Sequence, residues 1–104
     1  EDDKIVFNAI NSQKKRGINV SGPFPADTIF LKKNRERFNV ILGMYHDQVL
    51  TPIKTVFEFN AINITMGLPF LRVTPDHGPN QNMVGKNISN PISLINAITF
   101  LDRN

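Results

Sequence analysis

Residues 39–45 read NVILGMY, an apolar run broken off by His46, Asp47 and Gln48. A half-exposed strand alternates apolar with polar residues. An unbroken apolar run is the pattern of a strand covered on both faces, as in a parallel sheet. This stretch therefore requires material on either side of itself, and the neighbouring segments supply candidates. Residues 2–16 predict a helix: Ile5, Ala9, Ile10 and Gln13 recur near helical spacing, acids open the segment, bases close it, and Gly17 can cap it. INVSG is a short strand candidate, GPFPADT forbids regular structure, and Asp27 or Thr28 can cap the short helix TIFLKKNRERF. HDQVLTPIKTVF predicts a helix kinked or interrupted at Pro52. AINITMGL and FLRVTP are further strands, and residues 76–90 form a polar loop. The closing helix NPISLINAITFLDR has Asn90 at the N-cap and Pro91 at the first position, with Ile92, Ile95, Ile98 and Leu101 on its buried face. Strands alternating with helices predict an α/β fold, a mostly parallel sheet with flanking helices.

At 104 residues the chain is about one small domain, and 40% hydrophobic with 20% charged residues fits a folded soluble protein rather than a disordered one. No apolar run approaches the roughly 18 residues a membrane helix needs, and no secretory signal is visible. The absence of cysteine excludes disulfides and thiolate ligands and agrees with a cytoplasmic location. A net charge of +3 arises partly from two short basic clusters, Lys14 to Arg16 and Lys32 to Arg37. They lack interleaved aromatics, so solvated helix faces explain them better than nucleic acid does. A groove attracting phosphorylated or dinucleotide ligands is the sharper alternative. The chain opens with Glu1 and a segment already helical in pattern, which suggests the C-terminal portion of something longer.

In open α/β sheets ligands gather beyond the carboxyl ends of the strands, where MYHDQ and RVTPDHG would lie. His46 there is either a metal ligand whose tautomer Asp47 fixes, or a histidine hydrogen-bonded at a strand end. No second histidine stands at metal-ligand spacing. Lys54 and Arg72 are each embedded in apolar sequence, which suits snorkelling to solvent or recognition of an anion. Asn63 alternates with Ile62 and Ile64 and so points the other way on a strand. The loop from His77 through Lys86 matches neither dinucleotide nor P-loop glycine patterns.

Taken together, GPFPADTIF, MYHDQ, IKTVFEFNAINITMGLPFLRVTPDHG and ISNPISLINAI closely resemble the C-terminal third of the 4-hydroxythreonine-4-phosphate dehydrogenases of vitamin B6 biosynthesis. The resemblance covers nearly the whole chain. It implies part of a two-domain α/β subunit like isocitrate and isopropylmalate dehydrogenases, homodimeric, with residues 1–104 as its C-terminal portion. It implies oxidation and decarboxylation of 4-phosphohydroxy-L-threonine with NAD or NADP and a divalent metal (Zn, Mg or Co). By the same resemblance His46 is a metal ligand, and Lys54, Asn63 and Arg72 contact the phosphorylated substrate. Asp27 and Asp47 are carboxylates of the catalytic site, and His77, Gly78 and Lys86 lie toward the nucleotide. Two further metal histidines of the family fall upstream of Glu1, so the isolated chain is expected to be inactive. The family's glycine after MYHDQ is Val49 here, and its cofactor loop carries Pro79, Asn80, Asn82, Val84 and Asn87 at altered places. A non-catalytic remnant or binding domain, or a sibling enzyme for another phosphorylated hydroxy acid, are the alternatives.

Overall fold

The computed structural model describes residues 2–103. Two units divide between Leu42 and Gly43. The first holds α1 (Asp2–Lys15), α2 (Ala26–Ile29) and α3 (Lys32–Arg35). Gly17 follows α1 at φ +82, the left-handed conformation that closes a helix and that glycine adopts without a Cβ penalty. The inward stripe of α1 is Val6, Ile10 and Gln13, whereas Ile5 and Ala9 are exposed. The single helix expected over residues 28–38 is instead two short ones. Phe30 and Leu31 separate them, and the backbone at Leu31 turns to φ −56, ψ 139. INVSG forms no strand. Ile29 is the buried apolar residue of this unit, and the Phe24 and Phe38 rings stand 5.4 Å apart.

The second unit holds α4 (His46–Phe57), β1 (Ile62–Thr65), β2 (Arg72–Pro75) and α5 (Ile92–Asp102), with short 3-10 turns at Glu58–Asn60 and Gln81–Met83. The mostly parallel sheet is not what forms: among the described residues the one sheet is antiparallel, with Ile62 opposite Pro75 and Thr65 opposite Arg72. The reason lies in the connection. Residues 66–71 are too few for a parallel crossover, which needs about a dozen or more residues, but enough for a hairpin. The NVILGMY run forms no strand either. Val40 and Leu42 remain 79% and 81% exposed, while Ile41 and Gly43 are half-buried, so the described residues do not cover the segment on both faces. α4 has the expected bounds and continues through Pro52 rather than breaking there.

α5 packs against β1, β2 and the Glu58–Asn60 turn. Its buried stripe is not the isoleucine face. Ser93 and Ala97 are buried with Asn96 and Phe100 half-buried beside them, while Ile92, Ile95, Ile98 and Leu101 stay exposed. Small side chains at Ser93 and Ala97 let the helix approach the hairpin closely, and the Ser93 hydroxyl has backbone partners there. Asn90 Oδ1 accepts from the Ile92 N–H at 3.0 Å, so its side chain serves the helix start as expected, although the helix begins one residue past Pro91. Among the described residues no helix is long and apolar enough to cross a membrane.

Candidate functional site

His46 is the first residue of α4, following Tyr45 in extended conformation. Its Nδ1 lies 2.8 Å from Asp47 Oδ1, and both side chains are largely exposed. A carboxylate oxygen only accepts, so in the neutral ring this contact puts the proton on Nδ1 and leaves the Nε2 lone pair free. That is the form in which imidazole binds a metal. One imidazole with one carboxylate beside it is nevertheless short of a donor set. Among the described residues no group of three or more His, Asp or Glu could hold an ion. The described residues therefore fit one arm of a metal site and not a centre, and Asp27 lies in the other unit, exposed in the first turn of α2.

A cavity of about 270 Å³ is lined by Lys54, Glu58, Phe59, Asp76, His77 and Ser93. Lys54 comes from the last turn of α4 and His77 from the loop after β2, so two residues with separate expected roles face one space. Ser93 builds its wall. The Ser93 hydroxyl donates to the Ala61 carbonyl at 2.6 Å and accepts from the Asp76 N–H at 2.9 Å. Asp76 Oδ2 is buried without a hydrogen-bond partner, an unmet acceptor beside the cavity. Ligand pockets usually enclose roughly 300–1,000 Å³, so this one is too small for a whole dinucleotide. Sequence reasoning passed over Glu58, Asp76 and Ser93. The sequence did carry a signal for Ser93, a small hydroxyl between the apolar Ile92 and Leu94 of the closing helix.

Asn63 and Arg72 share one face of the hairpin. Arg72 stands opposite Thr65, and Asn63 precedes Thr65 by two, so alternation puts Asn63, Thr65, Arg72 and Thr74 on one face. Arg72 Nη1 donates to Thr65 Oγ1 at 2.7 Å, which fixes the guanidinium above this face. In the loop, His77 Nδ1 lies 3.3 Å from the Gly78 carbonyl oxygen, and Lys86 is exposed. Asn87 stands at φ +53, where the resembled family has glycine. Asparagine tolerates this left-handed conformation better than most residues.

Residues 1–101 match the family model described as pyridoxal phosphate biosynthetic protein PdxA. The chain is 45% identical over 103 residues to a 4-hydroxythreonine-4-phosphate dehydrogenase of Xanthobacter autotrophicus, covering 99% of this chain and 29% of that protein. A relative of the same name from Roseobacter denitrificans is 44% identical, covering 94% of this chain and 30% of that protein. A solved structure from Salmonella typhimurium, of a protein provisionally named 4-hydroxythreonine-4-phosphate dehydrogenase, superposes with a TM-score of 0.70 at 33% identity. That match covers 92% of this chain and 29% of the other. The chain thus spans less than a third of the length of the relatives it matches. With the family model matched from residue 1 to residue 101 and relatives named as dehydrogenases along nearly the whole chain, the chain belongs to the PdxA family of pyridoxal phosphate biosynthetic proteins.

Proposed function

We propose that this chain is the C-terminal part of a 4-hydroxythreonine-4-phosphate dehydrogenase subunit, cytoplasmic and homodimeric, with the two-domain α/β architecture of isocitrate and isopropylmalate dehydrogenases. In this reading the whole enzyme oxidises 4-phosphohydroxy-L-threonine with NAD or NADP, and decarboxylation follows. The carrying observation is the His46 imidazole, held by Asp47 with Nε2 free at the head of α4, in a chain 45% identical to a protein of that name. A divalent metal held partly by His46 would supply Lewis acidity toward the substrate hydroxyl, its other ligands coming from outside these residues. Asn63 and Arg72, sharing one hairpin face, and Lys54 at the cavity hold the phosphate by charge-assisted hydrogen bonds. Asp47 orients the imidazole, Asp27 joins the catalytic carboxylates, and His77, Gly78 and Lys86 meet the nucleotide. The test is NAD(P) reduction by the native protein given 4-phosphohydroxy-L-threonine and a divalent metal. Turnover lost on His46→Ala supports the reading, and no turnover with any divalent metal overturns it.

A second reading, a non-catalytic domain of the same fold, is favoured by the altered loop, where Asn82 stands in place of the family's acid and its backbone N–H donates to Asn80 Oδ1. Calorimetric titration with NAD separates the two: affinity abolished by Lys86→Ala favours the enzyme.

A further inference from the structure

The seven residues from Gly43 to Val49 form a closed turn. Gln48, in the first turn of α4, folds back so that its Oε1 accepts from the N–H of Met44 at 3.0 Å and of Tyr45 at 3.2 Å. One side chain thereby holds both residues that immediately precede His46. Beside it, Val49 lies against Gly43. A Cβ built on Gly43 would sit 2.2 Å from Val49 Cγ2, closer than packed atoms come, and 3.5 Å from Gln48 Cβ. The missing side chain at position 43 is thus the space that a branched residue at position 49 occupies. A polar clamp and an apolar latch close the same turn, and they act on backbone rather than on the imidazole.

We propose that Gln48 and the Gly43–Val49 pair are positioning residues that fix the direction in which His46 presents Nε2. Asp47 sets which ring nitrogen carries the proton, but the position of the ring depends on the backbone of Tyr45 and His46. Releasing Met44 and Tyr45 lets the helix start fray, and His46 leaves with it. The consequence for catalysis rests on the function proposed above; the effect on the imidazole does not.

The experiment uses the native protein labelled with ¹⁵N in histidine. Gln48→Leu removes the acceptor, and Gln48→Glu keeps an oxygen that can receive both N–H groups. For Gln48→Leu, fraying of the helix start breaks the His46–Asp47 contact, so the separated Nδ1 and Nε2 signals of His46 are expected to move toward the average of two exchanging tautomers. In turnover kcat falls about tenfold, a barrier change of about 1.4 kcal/mol, while the KM for the phosphorylated substrate stays within twofold. Gln48→Glu restores both readouts. Gly43→Ala perturbs the same signals through the clash with Val49, and Gly43→Ala with Val49→Gly returns them. Equal behaviour of Gln48→Leu and Gln48→Glu, or a double variant no better than Gly43→Ala, overturns the proposal. An unfolded Gly43→Ala leaves the Gln48 pair as the test. If the ¹⁵N signals respond as expected in a protein that turns over no substrate, the functional reading fails and the positioning role stands.

Discussion

The Ser93 hydroxyl donates a 2.6 Å hydrogen bond to the carbonyl of Ala61, a residue 32 positions earlier, and is almost wholly shielded from water. The same oxygen accepts from Asp76, so one buried atom ties α5 to the start of β1 and the end of β2. Ser93→Ala leaves a half-buried carbonyl and a half-buried N–H without this partner, at up to roughly 1–3 kcal/mol each. The expected loss is about 2 kcal/mol or more, read as a lower urea midpoint at unchanged slope. A loss under about 0.5 kcal/mol would show that water replaces the hydroxyl.

Asp47→Ala should leave helix content intact and remove the acceptor that keeps the His46 proton on Nδ1. The ¹⁵N spectrum of His46 should then show mixed tautomers, and under the function proposed above NAD reduction by the native protein should fall at least tenfold. Unchanged tautomer signals would mean that the 2.8 Å contact does not persist in solution.

Thr65→Val removes the hydroxyl that receives Arg72 Nη1 and leaves a residue that suits a strand. Stability should change by less than about 0.5 kcal/mol. The KM for the phosphorylated substrate should rise a few-fold with kcat kept, because the guanidinium loses its orientation but not its charge. Arg72→Met should raise it more than tenfold, and equal KM values for the two variants would remove Arg72 from the phosphate site.

Glu58 ends α4 at φ +50, ψ −114, a backbone conformation that costs a non-glycine residue of order 1–3 kcal/mol. Glu58→Gly should therefore raise the Tm despite the greater freedom glycine gives the unfolded chain. Thermal melts of the two proteins decide it. A lower Tm would mean that the carboxylate at the cavity wall stabilises more than the strain costs.

The isolated 104-residue chain should be inactive and should self-associate. Val40, Leu42, Met66, Phe70, Ile95 and Ile98 are all more than half exposed, and soluble monomers rarely expose apolar surface on this scale. Sedimentation at several concentrations, with a hydrophobic dye, tests this. A clean monomer that binds no dye would contradict it.

Local signals were legible where the chain decides its own structure. α4 was readable to the residue because polar His46 and Asp47 open an amphipathic stretch, and Asn90 foretold the start of α5 within one residue. What failed was everything set by partners. NVILGMY reads as a covered strand, yet nothing among the described residues pairs with it. The four apolar positions of α5 read as its buried face, yet the helix lies on Ser93 and Ala97, because close approach and a buried hydrogen bond outweigh side-chain size there. At the site, His46 and Asp47 could be paired from adjacency, and the meeting of Lys54 with His77 could not. It depends on α4 and the loop after β2 reaching one cavity, which no local pattern encodes.

The Ser93 bonds also order events in time. Six residues link β1 to β2, and such hairpins close in ~1–10 μs, whereas α5 must be synthesised and then travel back onto them. Until it docks, the cavity lacks a wall and the loop from Asp76 has no anchor at its base. A released chain with α5 still undocked would thus have a hairpin that is marginal alone in water and no closed cavity, so the docking of α5 completes both.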